Sequence, residues 1–174
     1  MVQQFDLIIV GAGSGNTIPG PDHAGWTIAM IEKDTFGGTC LNRGCIPSKM
    51  LIHTADVAET IHTAAPFGIT ARIERLDWDR ITGRVWQRID PLATAGEQRR
   101  QTQPNTTVFT GEARCMGDKM LEVTGQRLTA PRVIVAAGSR PAIPGLEQVV
   151  YHTSDTIMRL PRQPQRMAIL GGGY

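Results

Sequence analysis

The stretch "FDLIIVGAGSGN" (5–16) constrains the fold more than any other. It reads as a buried apolar strand that runs straight into a glycine-rich turn. Gly11 and Gly13 let the backbone turn tightly and come close to a pyrophosphate, and amides at the following helical start can bind it. "TIAMIEKD" (27–34) reads as a second strand ending on an acid. Glu32 falls about 20 residues after the first glycine, the spacing at which a carboxylate accepts hydrogen bonds from ribose hydroxyls. The third glycine position of this fingerprint holds Asn16, with Gly15 beside it. Between the two strands Pro19, Gly20 and Pro21 interrupt any regular helix, so the first crossover is expected to be short or irregular.

The remainder fits one α/β domain. Pro47 suits a first helical turn, and Leu51, Ala55, Ala58, Ile61 and Ala65 follow at helical spacing. A second helix is expected from Asp77, with Trp78, Ile81, Val85, Ile89 and Leu92 on one face and Pro91 kinking it or ending its regular part. From Thr106 onward, "TTVFTGEARC", "MLEV", "QRLTA" and "RVIVAAGSRP" read as strands separated by tight turns. The expected architecture is a Rossmann-like dinucleotide-binding domain over residues 1–150, with a parallel sheet, crossover helices and a small β-meander. Residues 151–174 then connect to "AILGGGY", a strand running into Gly171-x-Gly173, which reads as the first strand of a second, truncated dinucleotide-binding domain.

Composition excludes several classes. Lys and Arg number 18 against 16 Asp and Glu, a net charge of +2 with no basic stripe, which argues against nucleic acid as partner. The longest apolar runs, "LIIV" and "VIVAA", are strand-sized, far below the roughly 20 residues of a membrane-spanning helix. "MVQQFD" has no secretory signal character, and a cytoplasmic setting is expected.

Two of the three cysteines, Cys40 and Cys45, lie in "GGTCLNRGCIPSK" (37–49). A structural disulfide, half of a metal site and a redox-active dithiol are the alternatives, and a reducing compartment disfavours the first. Residues five apart in a regular helix have Cα atoms about 8–9 Å apart, whereas a disulfide needs about 4.4–6.8 Å. A bond between them requires a wound segment, which Asn42 and Gly44 permit. Cys45 would then lie just before the helix opened by Pro47, where the helix start favours a thiolate. A zinc site needs four ligands, and only Cys115 and the scattered His23, His53, His62 and His152 remain, so no metal is expected. Lys49, one turn after Cys45, is either solvated or able to stabilise negative charge nearby.

Taken together, a dinucleotide fold, a Cys-x4-Cys dithiol behind its second strand and the start of a second such fold resemble the flavin-dependent pyridine nucleotide–disulfide oxidoreductases. "GGTCLNRGCIPSK" is similar to that family's redox segment, and "VIVAAGSRPAIPG" (133–145) to the stretch where the chain leaves the flavin domain. Within the family, "GSGN", "RIDPLATAGEQRR" and "YHTSDTIMRL" resemble the mycothione reductase branch; dihydrolipoamide dehydrogenase is the alternative, and a catalytically incomplete remnant with at most weak FAD binding is another.

The resemblance implies FAD and NADPH as cofactors, a small-molecule disulfide as substrate and a homodimer formed through a C-terminal domain that this stretch lacks. It implies electron flow from NADPH through FAD to Cys40–Cys45, with Cys45 against the flavin, Cys40 as interchange thiol and Lys49 near the flavin's reactive nitrogen. Gly11, Gly13, Ser14 and Gly15 would line the pyrophosphate and Glu32 the adenosine ribose, while Gly38, Thr39, Ala113, Ala137 and Gly138 make backbone or close contacts. Arg43 stands where relatives usually carry valine, and its guanidinium is expected to act on the sulfurs, to extend into solvent or to meet a partner subunit. The 174 residues alone are expected to be inactive.

Overall fold

The first apolar run folds as strand β2 (Leu7–Val10), and its alternation decides the architecture. Ile8 faces one core while Leu7 and Ile9 face another. A strand buried on both sides must be central. It lies between β3 (Ile28–Glu32) and β8 (Arg132–Val135) in an all-parallel sheet of order β4-β3-β2-β8, with β4 (Thr106–Thr110) at one edge. This architecture comes from a computed structural model that describes residues 1–174 apart from Pro144, Glu147, Gly173 and Tyr174.

One face of the sheet is covered by a second sheet. In it β5 (Arg114–Gly117), β6 (Met120–Val123) and β7 (Gln126–Thr129) form an antiparallel meander. Leu121, Val123, Leu128 and Ala130 from this layer pack on Ile8, Ala29, Ile31 and Phe109. The amino terminus adds β1 (Val2–Gln4) parallel to β7, a strand with no local signal because its partner is remote in sequence. The opposite core gathers Leu7, Ile9, Ile28, Met30 and Phe36, with Ile18 and Trp26 from the first crossover against it.

That crossover holds two 3-10 turns, Ser14–Thr17 and Pro21–His23, in place of a regular helix. Asn105 fastens it: its Nδ2 donates to the carbonyls of His23 (3.0 Å) and Trp26 (3.2 Å). The next crossover contains α1 (Gly38–Arg43), α2 (Cys45–His62) and α3 (Trp78–Gln101). Asp77 caps α3 by accepting a hydrogen bond from the Arg80 amide at 3.1 Å.

Several expectations need correction. The helix α3 runs through Pro91 to Gln101, so the proline does not end it. Its buried stripe advances by four-residue steps through Val85, Ile89 and Ala93, so Leu92 falls to the side and is half exposed. On α2 the covered stripe is Pro47, Leu51, Thr54, Ala58 and Ile61; Ala55 turns to solvent, and Ala65 lies past the helix in a 3-10 turn. The strand expected at 167–170 does not form among the described residues. Ile169 and Leu170 stand about four-fifths exposed, with no neighbouring strand to supply hydrogen bonds. Gly173 of the second fingerprint lies outside the described residues. No helix among the described residues is long and apolar enough to cross a membrane.

One buried charge ties α3 to the first crossover. Arg100, 8% exposed, donates from Nε to Asn16 Oδ1 at 2.5 Å, from another nitrogen to the Asn16 carbonyl, and from Nη1 to Gln103 Oε1 at 2.7 Å. Burial pulls the guanidinium's pKa down from its ordinary value, with neighbouring Arg99 adding to the effect. The substitution Arg100→Met leaves the Asn16 acceptors unpaired. Losing charge-assisted bonds of this kind is expected to cost about 2–3 kcal/mol in urea unfolding; a midpoint matching the unsubstituted chain would show that solvent replaces them.

Candidate functional site

A cleft of about 690 Å³ opens at the carboxyl ends of β2, β3 and β8, the usual ligand position in an open parallel sheet. Gly11, Gly13 and Ser14 of the glycine turn line it, and so does Glu32 from the end of β3. Gly38, Thr39 and Cys40 contribute from α1, Ala113 from the chain after β4, and Ala137 and Gly138 from the chain after β8. Gly15 sits buried beneath this wall, where a Cβ would lie 2.8 Å from Ile9 Cγ2 and 3.1 Å from Ala136 Cβ. Close packing against the sheet thus falls to Gly15, which frees Asn16 to receive Arg100.

The glycine turn is held by its neighbours. Gly11, at φ +103°, donates its amide to the Ile31 carbonyl at 2.7 Å, and a Cβ there would sit 2.2 Å from the Ala136 oxygen. The Glu32 carboxylate accepts from the Ala12 amide at 2.7 Å through one oxygen and from the Asp34 amide at 2.9 Å through the other. The acid therefore has a role that spacing alone does not reveal: it pins the glycine turn and the exit of β3 together. Each carboxylate oxygen keeps a further lone pair, and the residue lines the cleft.

The cysteine segment is joined to the same turn. Gly37 donates to the Ala12 carbonyl at 3.1 Å, and Gly38, at φ +59°, approaches so closely that a Cβ would lie 2.6 Å from Gly13 Cα. The helix then breaks at Gly44 (φ −145°, ψ −114°), which separates α1 from α2 and brings the two sulfurs together. Cys45 is the first residue of α2 and Pro47 its third, so the thiol lies inside the helix start and not ahead of it. Both thiols are free and exposed. The Cys40 thiol is pushed above its ordinary value, chiefly by the hydrogen bond it shares with the Cys45 side chain and then by desolvation, with Lys49 opposing. Of the pair, Cys40 lines the cleft; Cys45 and Lys49 stand outside its described lining.

Asn42 and Arg43 have roles here beyond those expected from the sequence. Asn42 is 5% exposed and donates to the carbonyls of Phe36 (2.9 Å) and Gly38 (3.1 Å), which shapes the turn into α1. Its Oδ1 is buried without a hydrogen-bond partner and the residue lines the cleft. An asparagine between two cysteines carries no local signal for such a role. Arg43 is turned to carboxylates: it pairs with Asp34 and reaches Asp155 Oδ1 at 3.8 Å. This corrects the expectation that its guanidinium acts on the sulfurs, because two anions at the cleft mouth take up its charge.

Comparison with known proteins agrees with this geometry. The profile of the family described as "Pyridine nucleotide-disulphide oxidoreductase" matches residues 5–174. Mycothione reductase of Mycobacterium tuberculosis (strain ATCC 25618 / H37Rv) is 43% identical over 182 residues, covering 99% of this chain and 40% of that protein. Glutathione reductase of Burkholderia cepacia is 34% identical, with 98% and 38% covered, and dihydrolipoyl dehydrogenase of Bacillus subtilis (strain 168) is 33% identical, with 99% and 40% covered. The chain thus spans about two-fifths of the length of these curated relatives. Among solved structures, the HOCl-induced flavoprotein disulfide reductase RclA from Escherichia coli superimposes with a TM-score of 0.65 at 26% identity, over 80% of this chain and 29% of that one. A parallel sheet with a glycine turn stitched to a Cys-x4-Cys helix start, matched across nearly its whole length, means that this chain belongs to the pyridine nucleotide–disulfide oxidoreductase family.

Proposed function

We propose that residues 1–174 form the flavin- and disulfide-bearing part of an NADPH-dependent disulfide reductase of the mycothione type. Residues 1–150 are the FAD-binding domain, and 151–174 lead into a nicotinamide-binding one. The observation that carries this reading is the joint between the glycine turn and the cysteine turn, where Gly37 meets Ala12 and Gly38 meets Gly13 on the wall of one cleft. The higher identity to mycothione reductase than to the glutathione and dihydrolipoyl enzymes favours that branch.

The residues present fit FAD. Gly11, Gly13 and Ser14 line the cleft, and the missing Cβ atoms let Ala136 and Gly38 pack against the turn, so that a pyrophosphate would meet backbone at the turn and not side chains. Glu32 retains acceptor capacity for ribose hydroxyls and lines the cleft. Thr39, Ala113, Ala137 and Gly138 complete the near wall. When bound, FAD supplies the two-electron carrier between NADPH and the protein disulfide.

The chain's own sulfurs do the remaining work. Two electrons delivered to the Cys40–Cys45 bond break it. The Cys40 thiolate then attacks one sulfur of a small-molecule disulfide, forming a mixed disulfide and releasing one thiolate. Attack by Cys45 on the Cys40 sulfur releases the second thiol and restores the bond. We assign Cys45 as the flavin-facing member from its motif position, with Lys49 one turn on to balance negative charge. In this reading the substrate is a low-molecular-weight disulfide, the whole protein is a cytoplasmic homodimer, and residues 1–174 alone retain FAD weakly and lack NADPH-driven turnover. The exposed apolar Val135, Val150, Ile169 and Leu170 support that last point.

Two outcomes test it. Titrating the chain with FAD should quench flavin fluorescence saturably, and Glu32→Gln should weaken the affinity about ten-fold, the scale of one charge-assisted bond. A titration without saturation overturns the flavin assignment. The raised pKa of Cys40 means that its proton stays on to higher pH. In a Cys115→Ser background, Cys45→Ala removes the main cause, so the alkylation midpoint of Cys40 should move to lower pH and alkylation at a fixed pH below it should quicken. An unmoved midpoint means that the two sulfurs do not share a proton.

A further inference from the structure

We propose that Arg43 is a positioning residue, a clasp between Asp34 and Asp155 that holds segment 151–160 against the cleft mouth and sets how fast a bound dinucleotide leaves. The fastening stands on the chain's own contacts; its effect on a dinucleotide rests on the flavin reading above.

Arg43, Asp34 and Asp155 all line the cleft, and they come from three separate parts of the chain. Arg43 ends α1, the helix that carries Cys40. Asp34 follows β3, and its amide is held by Glu32, whose other oxygen holds the glycine turn at Ala12. Asp155 belongs to a self-bonded turn in which the Thr153 carbonyl accepts from the amides of Thr156 (3.1 Å) and Ile157 (2.9 Å). A continuous polar chain therefore runs from the glycine turn through Glu32, Asp34 and Arg43 to the returning segment.

Among the described residues, the side-chain attachments of that segment to α3 gather at one end. Arg159 pairs with Asp90 at 2.7 Å and lies over the Trp86 ring at 3.7 Å, while Trp78 Nε1 donates to the Leu160 carbonyl at 2.9 Å. These contacts dock residues 159–160 on α3, away from the cleft. On the cleft side, Arg43 is the ion-pair partner of Asp155 among the described residues. A guanidinium can serve two carboxylates at once through its fork of donors, which valine cannot do and a lysine point charge does less well. With Arg43 gone, the segment hinges on its α3 attachments and the Asp155 turn swings free. The three side chains are each between about one-third and one-half exposed, so the clasp is weak and sensitive to salt.

The test follows amide hydrogen exchange at Thr156, Ile157 and Arg159 in the full chain, first without FAD. Arg43→Val and Asp155→Asn should each speed exchange about two- to five-fold at low salt. The double variant should exceed neither, Arg43→Lys should restore part of the protection, and the differences should shrink at high ionic strength. With FAD loaded, its dissociation rate should rise in the same order across the variants. Unchanged exchange in Arg43→Val overturns the proposal, as do additive effects of the two single variants. Faster exchange with an unaltered FAD dissociation rate overturns the gating role. If FAD does not bind at all, the flavin reading fails, and the exchange data alone decide whether the fastening exists.

Discussion

Gly13 and Gly38 bring two turns from different crossovers so close together that a side chain on Gly38 would collide with the Gly13 backbone. Everything in the candidate site follows from that approach. It sets the glycine turn, whose Gly11 and Gly13 line the cleft, directly against the start of α1, whose first turn carries Cys40. Glu32 and Gly37 lock the approach by bonding to the two sides of Ala12, one through its amide and the other through its carbonyl. A residue with a Cβ at either glycine would push a dinucleotide site and a dithiol apart, and the chemistry proposed for the chain needs them adjacent.

The rest of the fold supports this joint from below. Parallel strands buried on both faces give a rigid base, because Ile8 is covered by the meander and Leu7 and Ile9 by the opposite core. The interrupted first crossover could have been a weak point, since 3-10 turns make poorer hydrogen bonds than an α-helix. Arg100 and Asn105 compensate by bonding its exposed carbonyls from α3 and from the start of β4. A buried arginine is a costly anchor unless its donors are satisfied, and Asn16 satisfies two of them.

Electrostatics at the cleft mouth works differently from electrostatics at the sulfurs. Cys40 is tuned by its immediate neighbour through a shared hydrogen bond, a short-range effect that the break at Gly44 makes possible. Arg43 lies between the two cysteines in sequence, yet its charge is taken up by Asp34 and Asp155. Proximity along the chain is a poor guide to where a long, flexible charged side chain places its head group.

Local chemistry was legible without any coordinates. The strand-to-glycine turn, the acid at the end of β3, the irregular crossover at Pro19–Pro21, the helix start near Asp77 and the glycine-broken cysteine turn all depend on backbone preferences and short-range hydrogen bonds that residue identity dictates. What the tertiary structure alone decided are pairings between distant positions. The amino-terminal strand adds to the meander, Arg100 meets Asn16 across 84 positions, Ala93 and not Leu92 faces the core, and Asp155 returns to Arg43. The physical reason is common to all of them. A side chain's partner is set by which surfaces the packed sheet and helices bring together, and that choice is made by burial of the whole core and not by any neighbour in sequence.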